Sequence, residues 1–435
     1  MSTGVADDSN EFVNLRAEIC APALRRLATN LSACLKEDAQ LCWKLGKLRQ
    51  GLFNHVRSNP HTVMKKRGGK FQSEEEALCY EFNNVFSRFY IAVRNVLHSS
   101  QVSISGDASA AKSSLAAPYK KMQEELEEKG MKPDAGTCVA TIEDLPKGAP
   151  GLEEILALMS RGEVALDTEE SGKTIKVAEY KIDDCSMLIP LESETRLQAE
   201  AKRFLEQYST GAGPSEIQAH AEAIMHVTVL NYIYASSSLY WGFGPEVYTK
   251  AAQVGAALEC YASPFNHRLP VFCSPCQPLD MAFGSLGSFY DVQVQQYAAK
   301  LSDGSMLVAN PPYLESELLA CIHRLKALLA DSAGLSAMSI YPNWKGADGL
   351  VEYSKFVRGK GFERVLGRLE HDYFDYQRER RVRATFESVC YCIVGSEKRA
   401  EMDAIIAALS HCGPKRGAPS GSRDAQSAKL PRKKK

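Results

Sequence analysis

Apolar residues recur at three- and four-residue spacings early in the chain, at Leu15, Ile19, Leu24, Leu27 and Leu31, then at Leu41, Leu45, Leu48 and Leu52. That period places them on one face of a helix, so residues 11 to about 100 are predicted to be helical. Asn59-Pro60 and Arg67-Gly68-Gly69 break the pattern, and a further helix is predicted over 73–97. The Ser/Ala/Gly-rich stretch 99–114 reads as a flexible linker, and a charged helix follows over about 120–130. Short mixed runs between about 135 and 190 predict strands at 174–177 and 186–190, before helices resume at 192–208 and 215–235. No internal repeat is present. From about Val254 the texture changes. Short apolar runs at 256–261, 305–309, 337–341 and 388–394 are each closed by turn residues. After the second run, Leu314, Leu318, Ile322, Leu325 and Leu329 mark one face of a helix. Strands alternating with helices predict a parallel α/β sheet, whose ligands sit outside the strand carboxyl ends.

Composition changes this picture little. At 435 residues, with 45% hydrophobic and 24% charged positions, the chain has the balance of a globular protein of one or two domains. It holds no run of about 18 apolar residues, which argues against a membrane span. Residues 1–10 carry Asp7 and Asp8 and no apolar run, so they are expected to be a disordered terminus rather than a secretory signal. Thirteen cysteines without regular spacing fit a reducing compartment. Cys273-Ser-Pro-Cys276 has the spacing of half a zinc site, but no second pair follows and no metal is expected. Charge is more telling. The formal net charge is −1, yet residues 413–435 carry eight basic residues against Asp424, leaving +7 there and −8 on the rest. This tail is expected to be disordered. Its end, Lys429-Leu-Pro-Arg432-Lys433-Lys434-Lys435, resembles a nuclear localisation signal, so the expected location is nuclear.

The second apolar run leads into Asn310-Pro311-Pro312-Tyr313. An exocyclic amine on a base is a weak nucleophile because its lone pair is delocalised into the ring. Two acceptors for its N–H groups, an Asn side-chain oxygen and the carbonyl of the next residue, favour the tetrahedral nitrogen that can attack a methyl group. Asn310 and Pro311 offer them, Pro311 and Pro312 restrict the loop, and Tyr313 offers a ring on which a base can stack. Such a loop acts by positioning and hydrogen bonding, with no general base required. The motif is shared by enzymes that methylate adenine, guanine and glutamine amines, so it names a reaction type better than a substrate. The plain alternative is a polar strand end followed by a proline-led helix start.

The first run carries more information. Glu259-Cys-Tyr-Ala-Ser-Pro-Phe-Asn266, then Cys273-Ser274, Asp280 and Phe283-Gly-Ser-Leu-Gly287, resembles the phosphorylated-CTD-interacting-factor family of cap-specific adenosine N6-methyltransferases. That family has Glu-Cys-Phe-Ala-Ser-Pro-Leu-Asn, Cys-Ser, an Asp, Phe-Gly-Ser-Arg-Gly and Asn-Pro-Pro-Phe. The likeness continues at Pro342-Asn-Trp344 and Leu369-Glu-His-Asp-Tyr373 and covers about residues 230–396. It implies that Ser263, Pro264 and Asn266 line an S-adenosyl-L-methionine pocket with Glu259 nearby, and that Asp280 and Ser285 belong to it. Asn310, Pro311, Pro312 and Tyr313 would receive the adenine. Capped RNA beginning with adenosine is the implied substrate, with the cap between the helical region and the catalytic domain. Transcription or capping machinery are the further partners considered. Three departures stand out. Trp43, Trp241 and Trp344 are too separated for the paired tryptophans of a WW domain, so the resemblance is read without that domain. Leu286 replaces an arginine, and 291–305 is longer or rearranged.

Arg378-Glu-Arg380-Arg381-Val-Arg383, close after Tyr373, interleaves basic and aromatic residues as an RNA-binding segment does. Its plain alternative is a solvated loop. Trp344, His371 and Tyr373 join these arginines on the expected RNA or cap side, His371 as a binding contact rather than a catalyst. The sequence thus predicts an α/β protein with a mostly helical region over 11–235, a small mixed insert near 135–190, and a Rossmann-like methyltransferase domain over 236–412. The expected reaction is methylation of the cap-adjacent adenosine at N6, once or twice. The rivals are methylation of an internal RNA or DNA adenine, and a catalytically silent RNA- or polymerase-binding factor.

Overall fold

The computed structural model describes residues 5–58, 74–100, 108–131, 149–168, 173–234, 241–276, 278–313, 315–332, 334–344, 348–394 and 398–410. The predicted tail 413–435, with its basic run at 429–435, lies outside the described residues. The first half is built from helices α1 (Val5–Thr29), α2 (Leu31–Ser58), α3 (Glu74–Ser100), α4 (Ala108–Glu128) and the short α5 (Leu152–Ala157). In α3, Leu78, Phe82, Val85, Phe86, Phe89, Tyr90 and Val93 are buried at helical spacing, so a single face seats this helix in the core. Two expectations are corrected here. Residues 5–10 are the opening turns of α1 rather than a disordered terminus. The predicted linker 99–114 is helical at both ends, because Ala108, Ala110, Ala111, Ala116 and Ala117 are strong helix formers and start α4 well before residue 120.

Strands β1 (Ser160–Thr168), β2 (Lys173–Ile182) and β3 (Cys185–Pro190) form an antiparallel meander, with Val164 opposite Val177 and Tyr180 opposite Met187. Helices α6 (Leu191–Tyr208) and α7 (Pro214–Ile233) follow. From Val227 to Ile233 every residue of α7 is buried, so its carboxyl-terminal part is enclosed on all sides, while its first turns are exposed.

The second half holds β4 (Trp241–Gly242), α8 (Pro245–Gln253), β5 (Ala256–Glu259), α9 (Val292–Ala298), β6 (Met306–Ala309), α10 (Glu315–Asp331) and β7 (Ser336–Pro342). Then come α11 (Asp348–Arg358), β8 (Gly361–Leu366), β9 (Asp372–Asp375), β10 (Arg380–Arg383), β11 (Ser388–Ile393) and α12 (Arg399–Leu409). The main sheet has the order β5-β6-β7-β11-β8. Strands β5, β6 and β7 run parallel, and β11 is inserted antiparallel to both of its neighbours. Every residue of β5, β6, β7 and β11 is buried, as a sheet covered on both faces demands.

Single parallel bridges from Glu259 to Phe272 and from Phe272 to Ser285 continue the sheet past β5. The chain therefore leaves β5 towards one edge and returns to β6 on the other side. That is a topological switch point, where the two strand ends diverge and leave a crevice. The outer bridge needs a close approach of backbones. Gly284 has φ 107°, and a Cβ there would stand 2.9 Å from the Pro270 carbonyl oxygen. A second small sheet, β10-β9-β4, packs beside the main one. Among the described residues no helix is long and apolar enough to cross a membrane.

Candidate active site

Each wall of the crevice is a loop set by the strand before it. Past β5, the Cys260 N–H donates to the Val308 carbonyl (2.8 Å) and the Ala262 N–H to the Cys273 carbonyl (2.9 Å), so the loop leaves the sheet already held on both sides. It then closes on itself. Asn266 Oδ1 accepts the Ser263 N–H (2.7 Å) and lies 2.8 Å from Ser263 Oγ. From α6, Arg196 grips the outside of the turn, donating to the Pro264 carbonyl (2.8 Å) and reaching His267 Nε2 at 2.6 Å. Burial, with Arg196 alongside, pushes His267 down to about 3, so its ring is neutral: Nε2 accepts from Arg196 and Nδ1 donates to the Leu269 carbonyl at 3.0 Å.

Past β6, Asn310 stands half-buried at the strand end. The Tyr313 hydroxyl lies 3.3 Å from Asn310 Oδ1 and also meets the Tyr373 hydroxyl. The Tyr313 ring is set edge-on to Phe386, with centroids 5.7 Å apart. A cavity of about 440 Å³ joins the two loops. Ser263, Asn266 and the whole of Asn310-Pro311-Pro312-Tyr313 line it, as does Tyr373. Its opposite wall is helical: Arg88 and Phe89 of α3, and Lys121, Met122 and Glu125 of α4. Arg88 Nε donates to Glu125 at 2.8 Å across that wall. The helical half is thus part of the site, which no local pattern in the sequence announced. Aromatic residues Trp241, Tyr261, Tyr290 and Phe386 and Glu317 also line the cavity. Tyr261 stands inside the first motif but was given no role there, and the others were missed because nothing in their spacing links them to the two motifs.

Four residues assigned to the pocket lie behind it. Glu259 is buried, and its carboxylate accepts the N–H groups of Arg268 (2.9 Å) and Leu269 (3.3 Å); it pins the far end of the loop. Burial pushes it up to about 7, against those hydrogen bonds and one from Tyr248. Pro264 offers only its carbonyl, to Arg196, and does not line the cavity. Asp280 is fully buried and accepts the Tyr232 hydroxyl at 2.6 Å, while its other oxygen has no hydrogen-bond partner among the described residues. Burial raises this carboxyl to about 7, the hydrogen bond from Tyr232 opposing it. Ser285 is buried too; its Oγ accepts the Gly287 N–H (3.0 Å), and its carbonyl accepts Arg16 of α1 (3.0 Å). The Glu259 and Ser285 side chains are thus engaged inside the protein, as buried polar groups usually are, whereas Asp280 keeps one oxygen unpaired among the described residues.

The expected RNA side separates in the same way. Tyr373 reaches the cavity. His371 is fully buried, with Nε2 2.9 Å from Ser388 Oγ and Nδ1 3.2 Å from the Gly367 carbonyl, and is not in the cavity lining. Arg378, Arg380, Arg381 and Arg383 sit on the β9–β10 hairpin and not in the cavity lining. Each has an acidic partner: Asp375 for Arg378 (3.2 Å) and Arg380 (3.9 Å), Glu246 for Arg381, and Asp372 for Arg383 (3.7 Å). Part of the positive charge seen in the sequence is therefore neutralised locally. Trp344 is exposed at the end of β7, outside the lining. Among the described residues no group of three or more His, Cys, Asp or Glu side chains is placed to hold a metal.

Fold and site together define a mixed α/β protein with a crevice at the switch point of its sheet and the Asn310–Tyr313 loop on one lip. A family model described as the phosphorylated CTD interacting factor 1 WW domain matches residues 197–376, from α6 to just past β9. Trp241 and Trp344 fall within the match, and the expectation that the resemblance comes without a WW domain is overturned by it. A 124-residue segment is 35% identical to the mRNA (2'-O-methyladenosine-N(6)-)-methyltransferase of Mus musculus, covering 27% of this chain and 16% of that protein. The enzyme of the same name from Homo sapiens is 34% identical over the same length and shares. The matched segment is thus under a fifth of the length of these curated relatives.

Proposed function

We propose that this protein is a Rossmann-like S-adenosylmethionine-dependent methyltransferase that modifies N6 of the adenosine next to the cap of an mRNA. The observation that carries the reading is the meeting of the Ser263–Asn266 turn and the Asn310–Tyr313 loop in one cavity at the switch point. A cavity of about 440 Å³ suits a ligand of the donor's size. The donor, when bound, supplies a methyl group on a positively charged sulfur. Everything else falls to the chain. The Ser263 turn and Cys260 to Ala262 form the donor's wall. Asn310 Oδ1 and the Pro311 carbonyl accept the two amine hydrogens and hold the nitrogen lone pair towards the methyl. Tyr313 and Tyr373 bound the adenine, and the helical wall with Arg88 and Lys121 faces the remainder of the substrate. Transcription or capping machinery are the proposed partners, and the run at Lys429 to Lys435 the proposed nuclear address.

Labelled methyl transfer to short RNAs beginning with adenosine, capped and uncapped, tests this. The expected result is transfer to the capped RNA alone, recovered as N6-methyl or N6-dimethyl adenosine. Equal transfer to both RNAs would move the assignment to an internal adenine. Donor binding without transfer to either would favour a silent binding factor.

Arg196 provides a second check, since it holds the donor turn from outside the cavity. Removing it in Arg196→Ala frees the Pro264 carbonyl and loosens the turn, and misplacement on that scale costs about tenfold or more. The expected outcome is a raised KM for S-adenosylmethionine with the KM for RNA little changed. A change confined to RNA would contradict the placement of the donor.

A further inference from the structure

A line of hydrogen-bonding groups runs from the catalytic loop into the protein. Asn310 Oδ1 lies 3.3 Å from the Tyr313 hydroxyl, which meets the Tyr373 hydroxyl. Tyr373 is 3.4 Å from Ser388 Oγ, Ser388 is 2.9 Å from His371 Nε2, and His371 Nδ1 ends the line on the Gly367 carbonyl at 3.2 Å. We infer that this relay, through its direction, decides whether the Asn310 oxygen is open to the adenine amine; the inference rests on the methyl-transfer reading of the site.

The direction of the line follows from the hydrogens available. Each hydroxyl has one to give, and burial raises Tyr313 well above its ordinary range and Tyr373 to about 12, so both keep theirs. A carbonyl cannot donate, so Gly367 fixes the hydrogen of a neutral His371 on Nδ1 and leaves Nε2 as an acceptor. Ser388 must then donate to His371, which leaves its oxygen to accept from Tyr373, and Tyr313 in turn donates to Tyr373. Asn310 Oδ1 is left for the substrate. Protonation puts a hydrogen on Nε2 as well. His371 then donates to Ser388, Ser388 to Tyr373, Tyr373 to Tyr313, and Tyr313 to Asn310. The acceptor that the amine needs is now taken.

The surroundings decide where this happens. Around His371 stand Glu370 and Asp372 on its own segment, Asp372 paired with Arg383 of β10, together with Tyr373, Phe386 and Ser388, while Ser410 after α12 bridges its backbone. Cys390 of β11 lies near Tyr313 and Tyr373. Burial lowers the His371 titration, opposed by the Gly367 carbonyl and the two acids. The ring is therefore neutral and the relay open at pH 7, and it reverses as pH falls through a value below the ordinary imidazole range of about 6.5. His371, Ser388 and Tyr373 act through Tyr313 and are positioning residues.

The test is the pH profile of kcat/KM for capped RNA. The unaltered protein should lose about tenfold per pH unit on the acid side of the His371 titration, as expected for one essential deprotonated group. Tyr313→Phe keeps the ring and deletes the last hydroxyl of the line, so whatever its rate at pH 7, that acid limb should be absent. Ser388→Ala leaves Tyr373 no acceptor but Tyr313, which locks the line closed; turnover should be low at every pH. Adding Tyr313→Phe to Ser388→Ala should bring it back to the level of Tyr313→Phe alone. A structural defect at Ser388 would not be rescued in this way. An unchanged acid limb in Tyr313→Phe, or no rescue in the double variant, overturns the relay while leaving the enzyme reading intact. Absence of transfer by the unaltered protein at any pH overturns both.

Discussion

Replacing Asn310 by alanine is expected to lower the rate of methyl transfer by about 10²–10³, the usual cost of losing one preorganised polar contact to a reacting group. Binding of S-adenosylmethionine and the unfolding midpoint should stay close to those of the unaltered protein. The structure separates these readouts. Asn310 is only half-buried, and among the described residues its side chain meets the hydroxyl of Tyr313 alone. Its removal therefore leaves no buried polar group stranded, while β6 before it and the Ser263 turn opposite keep their own hydrogen bonds. Asn310→Asp sharpens the test. A carboxylate keeps an acceptor oxygen in nearly the same place, so this variant should retain far more activity than Asn310→Ala. The measurement is single-turnover transfer to capped RNA, with donor binding followed by calorimetry. Near-normal turnover in Asn310→Ala would remove the amine-acceptor argument altogether.

The parts of the site legible in the sequence are those where one short segment carries both the structural and the chemical signal. The runs at 305–309 and 337–341 announced β6 and β7 to within a residue, because strands buried on both faces are uninterrupted apolar runs. Asn310 to Tyr313 then fell at a strand end by construction. Strand β8 gave no such signal: it is an edge strand with Glu363, Arg364 and Val365 exposed, so its pattern resembles a loop. The arginines of β10 were legible as charge but not as partners. Only the fold brings Glu246 of α8 to Arg381, and only the hairpin register sets Asp372 opposite Arg383. Glu259, at the end of β5, and Asp280 are buried outside the cavity lining, and spacing along the chain does not say which way such a side chain turns. The helical wall is the clearest loss. Arg88 and Glu125 are separated by 37 positions, and their meeting depends on how α3 packs against α4.

The same packing governs the largest expected effect on stability, at Arg94 of α3. This side chain is buried where α2, α3 and α7 meet, donating to Asp38 (3.1 Å), to Asn231 Oδ1 (2.9 Å) and towards Cys42. Burial alone would pull its titration down; Asp38, with Cys276, Tyr90 and Cys42, more than reverses that, and it stays charged. Asn231 Nδ2 donates back to the other Asp38 oxygen at 3.3 Å, closing the network. The next residue, Tyr232, lines the cavity and supports Asp280, so the network stands directly behind the cavity wall. Arg94→Met fills the space but leaves Asp38 without its cation, and breaking a buried pair in this way costs about 3–5 kcal/mol. The expected result is a large fall in the urea midpoint. Asp38→Leu in the same chain should recover much of the loss, because an apolar pair of similar volume replaces a charge that would otherwise be buried alone. A double variant no more stable than Arg94→Met would mean that the arginine acts through its packing on Tyr90, 6.0 Å from the ring centroid, rather than through the ion pair.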